Sequence, residues 1–433
     1  MDFTSNRSLL EKIYYATILF LYMFAPTIVG LPYNPAKFML LLIVTESLYI
    51  NVFNIKRIFI PQFAIYLVLL IFTYGILIYH QTFGNASHVG LVNQIVTHVL
   101  EIIPFSILYV NILIKRGYTI NDFIDVVINI MAIQGLLMLL QFISVDFRAL
   151  IQGLLGSSKI RSVGTFQWFR GLGVALSKNY DFSLLQSFGM FLIMSKFLRN
   201  KIVIADYFKI FLIVFSIIIS GRTGFIGLGL AAAIFLFKTL RYQIFISFMK
   251  KASLALIVIY SLYTVSAYVV PNIHNSINNN LLPWAFEFYY NYIETGEFST
   301  SSSDQLSESH YYELSDKTIV FGDGKYVRDD GFYYGLTDAG YMRQTLYFGV
   351  IGILIFAILY IRIAIINFTR LSVNYNYIIP SYTLLMFVAH YKGDVFTNSL
   401  ILNRAFYVVG VGLIIYMLKA EDEYRNETLL NNT

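Results

Sequence analysis

The chain has 433 residues, of which 57% are hydrophobic and only 13% charged, with a mean hydropathy of +0.65. Soluble domains carry about a quarter charged residues, so that class is excluded and a polytopic membrane protein is expected. The net charge of +6 does not point to nucleic acid, since no basic stretch is interleaved for it and membrane proteins gather Lys and Arg in cytoplasmic loops; zero cysteines exclude disulfides and thiol catalysis, and six scattered histidines show no metal-ligand spacing.

Apolar stretches near 13–31, 36–54, 58–79, 95–114 and 120–143 are each long enough to cross a bilayer. The first lies behind Arg7 and Lys12, is too long for a signal-peptide core and lacks a small-residue cleavage site, so it reads as a retained span. Glu46, His98 and Glu101 fall inside spans, where an interhelical hydrogen bond is the first explanation and substrate contact the second. Further spans are expected at 171–195, 203–220, 223–240 and 252–270.

A polar, Tyr- and Ser-rich connection, 271–340, follows: an Asn-rich start, an aromatic stretch Trp284 to Tyr292 of interfacial type, a Ser-rich stretch 299–303 and a glycine-rich end. Within it Phe321-Gly322-Asp323-Gly324-Lys325 lacks the ending of a phosphate loop and reads as a turn. The last spans are expected at 341–361, 375–391 and 399–418, and the Asn-rich tail 421–433 as a short disordered end. The fold class is therefore an all-α polytopic membrane protein of about twelve transmembrane helices in one domain, 1–433, with one long non-cytoplasmic connection between the ninth and tenth helices.

Positive charge collects in alternate connections (Lys56 and Arg57, Lys115 and Arg116, Lys196 to Lys201, Lys238 to Lys251, Arg362 and Arg370), which puts both termini in the cytoplasm. On the opposite face stand Arg161, Arg170, Lys178, Arg222, Arg343, Lys392 and Arg404, against the fewer acids Asp181, Asp338 and Asp394. Any one of these cations alone is explained by snorkelling to headgroups. The whole set is not, because a mid-helix Arg costs about 2.5–3.5 kcal/mol and several together call for acidic partners or an anion. Guanidinium forks hold phosphate oxygens bidentately, so the set reads as a seat for a lipid pyrophosphate that needs no metal ion. Arg222, set between glycines in the hairpin Ser220-Gly221-Arg222-Thr223-Gly224, is the sharpest case. Asp338 is the candidate base for an acceptor hydroxyl and equally a candidate N-cap for the next helix; His310 is the alternative base. Trp284, Tyr311, Tyr312, Tyr333 and Tyr334 suit stacking on sugar faces or an interfacial belt.

Three stretches carry a resemblance to the Wzy-type polymerases of O-antigen and capsule repeat units and to the related O-antigen ligases. Arg161-Ser162-Val163-Gly164-Thr165-Phe166 is similar to the family's R-x-x-G-x-F stretch, and residues 220–224 to its S-x-R-T-G hairpin. The third is Asp338-Ala339-Gly340-Tyr341, followed by Gly349 and Gly352. In the ligase branch this stretch resembles H-N-x-Y-L, with histidine where Asp338 stands, which favours the polymerase. The resemblance covers roughly residues 150–410. It implies a glycosyltransferase of the bacterial inner membrane, facing the periplasm, with no metal and no cofactor. Its reaction moves a growing glycan from undecaprenyl pyrophosphate onto the sugar end of a second lipid-linked repeat unit, with inversion at the anomeric carbon, and a chain-length regulator is the implied partner. Asp338 and Arg222 would be catalytic, with His310 as the alternative; Arg161, Arg170, Lys178, Arg343, Lys392, Arg404 and Tyr341 would bind the pyrophosphate-linked substrate. A ligase and a lipid-linked oligosaccharide flippase are the competing readings, although the single long connection breaks the symmetry between halves that a flippase would show.

Overall fold

The computed structural model describes residues 8–31, 34–52, 59–82, 90–155, 169, 172–175, 180–199, 201–238, 246, 260–261, 263–264, 267–328 and 330–431. Arg161, Arg170, Lys178 and most of the expected span 252–270 lie outside the described residues. Within them the chain is all-α, apart from an isolated bridge between Val327 and Tyr333. Five described helices are long and apolar enough to cross a membrane: Ile60–Tyr79, Val92–Lys115, Ile120–Ile143, Gly340–Arg370 and Leu400–Leu429. Gly224–Lys238 and Ile378–His390 are shorter apolar helices. The other expected spans form helices of 15 to 19 residues: Leu9–Phe24, Pro35–Tyr49, Tyr180–Leu198 and Ile204–Ser220.

Local chemistry explains several boundaries. Ser8 caps the first helix by accepting from the Glu11 N–H, and the helix stops where Ala25 turns left-handed ahead of Pro26. Asn34 caps the second, with Pro35 in its first turn. The stretch expected at 95–114 is already helical at Gly90 and carries a π turn at His98–Ile102 just before Pro104. Proline has no N–H and crowds the carbonyl four residues back, so the Ile103 N–H reaches instead to His98, five residues away. Pro283 is preceded in the same way, by a π turn at Ile277–Leu281.

The chain divides into two compact units. One comprises Met1–Ala25, Pro32–Ile130 and Gln305–Thr433; the other Pro26–Leu31 and Met131–Asp304. In the first, the C-terminal helix Leu400–Asn431 is the central rod, with 89% of its apolar window buried. Along that window it is apolar on nearly every side, with Asn403 and Arg404 as buried exceptions, as suits a helix without a solvent face. Gly412 admits the Phe123 ring and Val110, which a side chain there would meet at 2.9 and 3.1 Å. Beyond 418 the helix becomes exposed and runs on to Asn431, so the tail expected to be disordered is helical over most of its length.

The helix Gly340–Arg370 is broken at Gly349, whose φ of 65° and ψ of −175° are open to glycine alone. Close to the break the Leu346 and Tyr347 carbonyls accept from the N–H groups of Asp323 (2.6 Å) and Gly324 (3.3 Å). Phe321–Lys325 is thus the turn expected, with φ of 71° at Gly322 and 67° at Gly324. A Cβ on Gly349 would run into the Val320 backbone, and one on Gly322 into that of Tyr347. This close approach anchors the end of the polar connection to the helix.

In the second unit, Gly135 brings its helix against the Leu212 backbone, where a Cβ would lie 2.5 Å from the carbonyl oxygen. Gly224 does the same against Ile217 and Ser183. Such small-residue contacts are how helices associate in lipid, where apolar burial gives no preference for protein. The connection 271–340 is a series of short helices, none longer than the nine residues of Glu287–Thr295. Its part up to Asp304 belongs to the second unit and the rest to the first.

Candidate functional site

In the first unit the candidate residues gather at the start of the helix Gly340–Arg370. The N-cap of this helix is Ala339, which makes no side-chain capping bond, so Asp338 does not serve as the cap that the sequence suggests. Its Oδ1 instead stands 3.5 Å from His310 Nε2. The two alternative bases are therefore neighbours, with the Asp338 side chain 59% exposed and that of His310 15%. Thr337 Oγ1 ties their segments by donating to the His310 carbonyl (2.9 Å), and Leu306, Ala339 and Met342 pack beneath with Tyr311 and Leu314.

Arg343, in the first turn, is buried between two aromatic faces. Its guanidinium carbon lies 3.9 Å from the Tyr326 ring centre and 3.6 Å from that of Tyr333. Its Nε and Nη2 have no hydrogen-bond partner. The nearby Asp394 is held by other donors: the Tyr326 hydroxyl (2.7 Å), Gln344 Nε2 (3.2 Å), and the Thr397 N–H (3.1 Å) and hydroxyl. Burial, with the Asp394 carboxylate next to it, pushes the Tyr326 hydroxyl well above its ordinary pKa and keeps it a donor.

Tyr341 places its ring edge-on to His390 at 4.6 Å, and its hydroxyl donates to the Phe387 carbonyl (2.9 Å). His390 is fully buried; its Nδ1 accepts from the Val395 N–H (3.1 Å) and its Nε2 has no partner. Gly340 permits this juxtaposition, since a Cβ there would lie 2.5 Å from the His390 and Gly393 carbonyl oxygens. Lys392 follows on the same turn, half-buried, with its N–H bonded to the Ala389 carbonyl. Among the expected sugar-stacking rings, Tyr311 lies flat on Tyr391 (4.6 Å) and donates to its carbonyl, while Tyr312 and Tyr334 donate to Gly335 and Asp323.

Arg404 departs from expectation. It is fully buried, and its Nε (3.2 Å) and Nη2 (2.7 Å) donate to Glu101 on the π turn. An acid within the protein, not an external anion, neutralises this buried cation near the start of the helix Leu400–Asn431, because an unpaired charge there would be too costly. The hydrogen-bond reading of Glu101 holds, with Arg404 as the partner.

In the second unit the hairpin closes with a Gly224 N–H to Gly221 carbonyl bond of 3.1 Å and holds Arg222 over a different set of groups. The guanidinium forms an ion pair with Glu287, lies 3.4 Å from Ser302 Oγ through Nη2, and stands 5.7 Å from the Trp284 ring centre. Glu287 also accepts from the Ser301 N–H at 2.7 Å. Burial pushes the Glu287 carboxyl up, but the Ser301 and Arg222 contacts outweigh it and hold the group below its ordinary value, so it is ionised at neutral pH.

The sequence reading missed Glu287 as a partner of Arg222, as well as the pairing of Asp338 with His310 and the clasp of Tyr326 and Tyr333 on Arg343. The only signal for Glu287 was an acid inside an aromatic stretch. Among the described residues no three His, Cys, Asp or Glu side chains gather as metal ligands. Comparison with protein-family models, with curated proteins and with solved structures finds no match to this chain.

Proposed function

We propose that the chain polymerises lipid-linked oligosaccharide repeat units of O-antigen or capsule. It transfers the growing glycan from undecaprenyl pyrophosphate to the non-reducing end of another undecaprenyl-pyrophosphate-linked unit, inverting the anomeric carbon. In this reading about twelve helices cross the bacterial cytoplasmic membrane, both termini lie in the cytoplasm, and the connection 271–340 faces the periplasm.

The observation that carries the proposal is Arg343: a buried guanidinium clasped by two tyrosines, with two N–H donors unpartnered, in the turn that follows the Asp338–His310 pair. An unsatisfied buried donor costs about 1–3 kcal/mol, more on a charged group, and a phosphate oxygen relieves that cost. Asp338 takes the proton of the acceptor hydroxyl, whose oxygen bonds to the anomeric carbon from the face opposite the pyrophosphate. The bond from that carbon to the pyrophosphate oxygen breaks, and its electron pair stays on the leaving group, where Arg343 neutralises it. His310 accompanies Asp338 as its partner. The reaction handles two lipid diphosphates, one on the donor and one on the acceptor, and Arg222 holds a lipid diphosphate in the second unit. Lys392 adds positive charge within the first unit, where Tyr341 packs on His390; Arg161, Arg170 and Lys178 keep the substrate-binding role that the resemblance implies. Arg404 has no part, since Glu101 neutralises it in a pair closed off from any incoming ligand.

A lipid-linked oligosaccharide transporter is favoured by one specific feature. A buried polar chain runs through the first unit, from Arg362 to Gln62 (3.1 Å), Tyr407 (3.2 Å) and Tyr66 (2.6 Å), of the kind that transporters place inside spans. The deciding experiment expresses Asp338→Asn, Arg343→Ala and Arg222→Ala or Lys in cells lacking the gene, checks membrane levels, and runs surface lipopolysaccharide or capsule on a gel. A single repeat unit at the surface means export without polymerisation and supports the proposal. Absence of any unit favours the transporter, and a normal ladder sinks the assigned roles.

A further inference from the structure

We infer that Glu287 is an internal carboxylate stand-in for the phosphate that Arg222 holds, and that it restricts this seat to ligands bearing a diphosphate. The inference rests on the reading of Arg222 given above. The Glu287 carboxylate is the meeting point of the Arg222 guanidinium and the Ser301 N–H at 2.7 Å, with Ser302 Oγ 3.4 Å from Arg222 Nη2 and the Trp284 ring to one side. Guanidinium and backbone N–H together make an oxyanion cradle, which a phosphate fits at least as well as a carboxylate, while Ser302 Oγ accepts from the guanidinium. The occupant comes from the helix Glu287–Thr295, not from the hairpin that carries Arg222.

This pair also differs from the buried pair in the first unit. The Arg404 and Glu101 side chains are 0% and 7% exposed, closed off as a structural pair should be, whereas those of Arg222 and Glu287 are 17% and 22% exposed. The cradle is thus filled yet open to an incoming ligand. A tethered competitor acts at an effective concentration in the millimolar range, so a dilute monoanion does not displace it. A diphosphate does, because it brings several charges and enough oxygens to take both guanidinium nitrogens and the Ser301 N–H at once. Displacing Glu287 removes the ion pair that ties its helix to the hairpin, so binding of the diphosphate and loss of that tie are one event.

The test is calorimetric titration of inorganic pyrophosphate, and separately of acetate, into the full chain in nanodiscs, as wild type, Glu287→Gln, Arg222→Ala and the double variant. Glu287→Gln is expected to bind pyrophosphate about tenfold tighter or better and to bind acetate measurably, with both gains lost in the double variant. Equal pyrophosphate affinity in wild type and Glu287→Gln, with loss in Arg222→Ala, overturns the inference and leaves the Arg222 reading standing. Weaker binding by Glu287→Gln makes Glu287 a positioning residue and overturns it too. If no binding in any background depends on Arg222, the Arg222 reading itself falls. Should Glu287→Gln fail to fold, Glu287→Asp keeps the charge but shortens the reach: tighter pyrophosphate binding than wild type supports the inference, and unchanged binding overturns it.

Discussion

Glu101 and Arg404 show how far a single residue can be read from sequence. An acid inside an apolar span must have a partner, and that much follows from the cost of burying a charge. Which partner does not follow, since Arg404 lies 303 residues away and several other cations were available. Because the pair is buried, removing one member should cost far more than removing both. Glu101→Ala is expected to lower stability by about 3–5 kcal/mol, with most of the loss recovered when Arg404→Leu is added. Unfolding of the purified protein in mixed micelles, run as a double-mutant cycle, measures this; additive losses would mean that the two groups do not neutralise each other. Arg222 carries the complementary lesson. Its glycine-flanked hairpin was legible, but Glu287 reaches it only because the chain folds back across 65 residues.

Among the elements, prolines and glycines set the details that hydropathy leaves blank. The apolar window over 120–143 became the helix Ile120–Ile143 without adjustment, whereas in the window at 171–195 residues 172–175 are not helical and the described helix is Tyr180–Leu198. Hydropathy reports where the chain is greasy and says nothing about where its hydrogen-bond ladder begins. The break at Gly349 is such a detail: the glycine was visible in the sequence, but its left-handed conformation depends on the turn at 322–324 coming up against it. Gly349→Ala is expected to destabilise by about 1–3 kcal/mol from backbone strain alone, and by more from the collision with Val320. Gly75 is the control. It sits in a helix with nothing within 4 Å of its Cβ position, so Gly75→Ala should be neutral or stabilise by up to about 1 kcal/mol. Thermal unfolding of the two variants compares them directly, and equal effects would show that the break at Gly349 is not required.

At the scale of the whole molecule, the absence of cysteine makes topology directly measurable. Glu297→Cys in the connection and Glu427→Cys near the C terminus are both at exposed positions. An impermeant thiol reagent applied to intact spheroplasts should label the first and spare the second until the membrane is opened; the reverse pattern would invert the proposed orientation. The sequence by itself determined that this is an all-α membrane protein, roughly where its apolar helices lie, that Phe321–Lys325 is a turn, and which cations and acids need explaining. These follow from composition and local periodicity, which act within a few turns of chain. Only the tertiary structure decided that the C-terminal helix is the buried rod of its unit, that Asp338 meets His310 instead of capping a helix, that Arg404 is neutralised by Glu101, and that Arg343 keeps unpartnered donors between two tyrosines. Each of these is a contact between residues distant in sequence, and no local pattern encodes which of several chemically equivalent partners the packing will bring within reach.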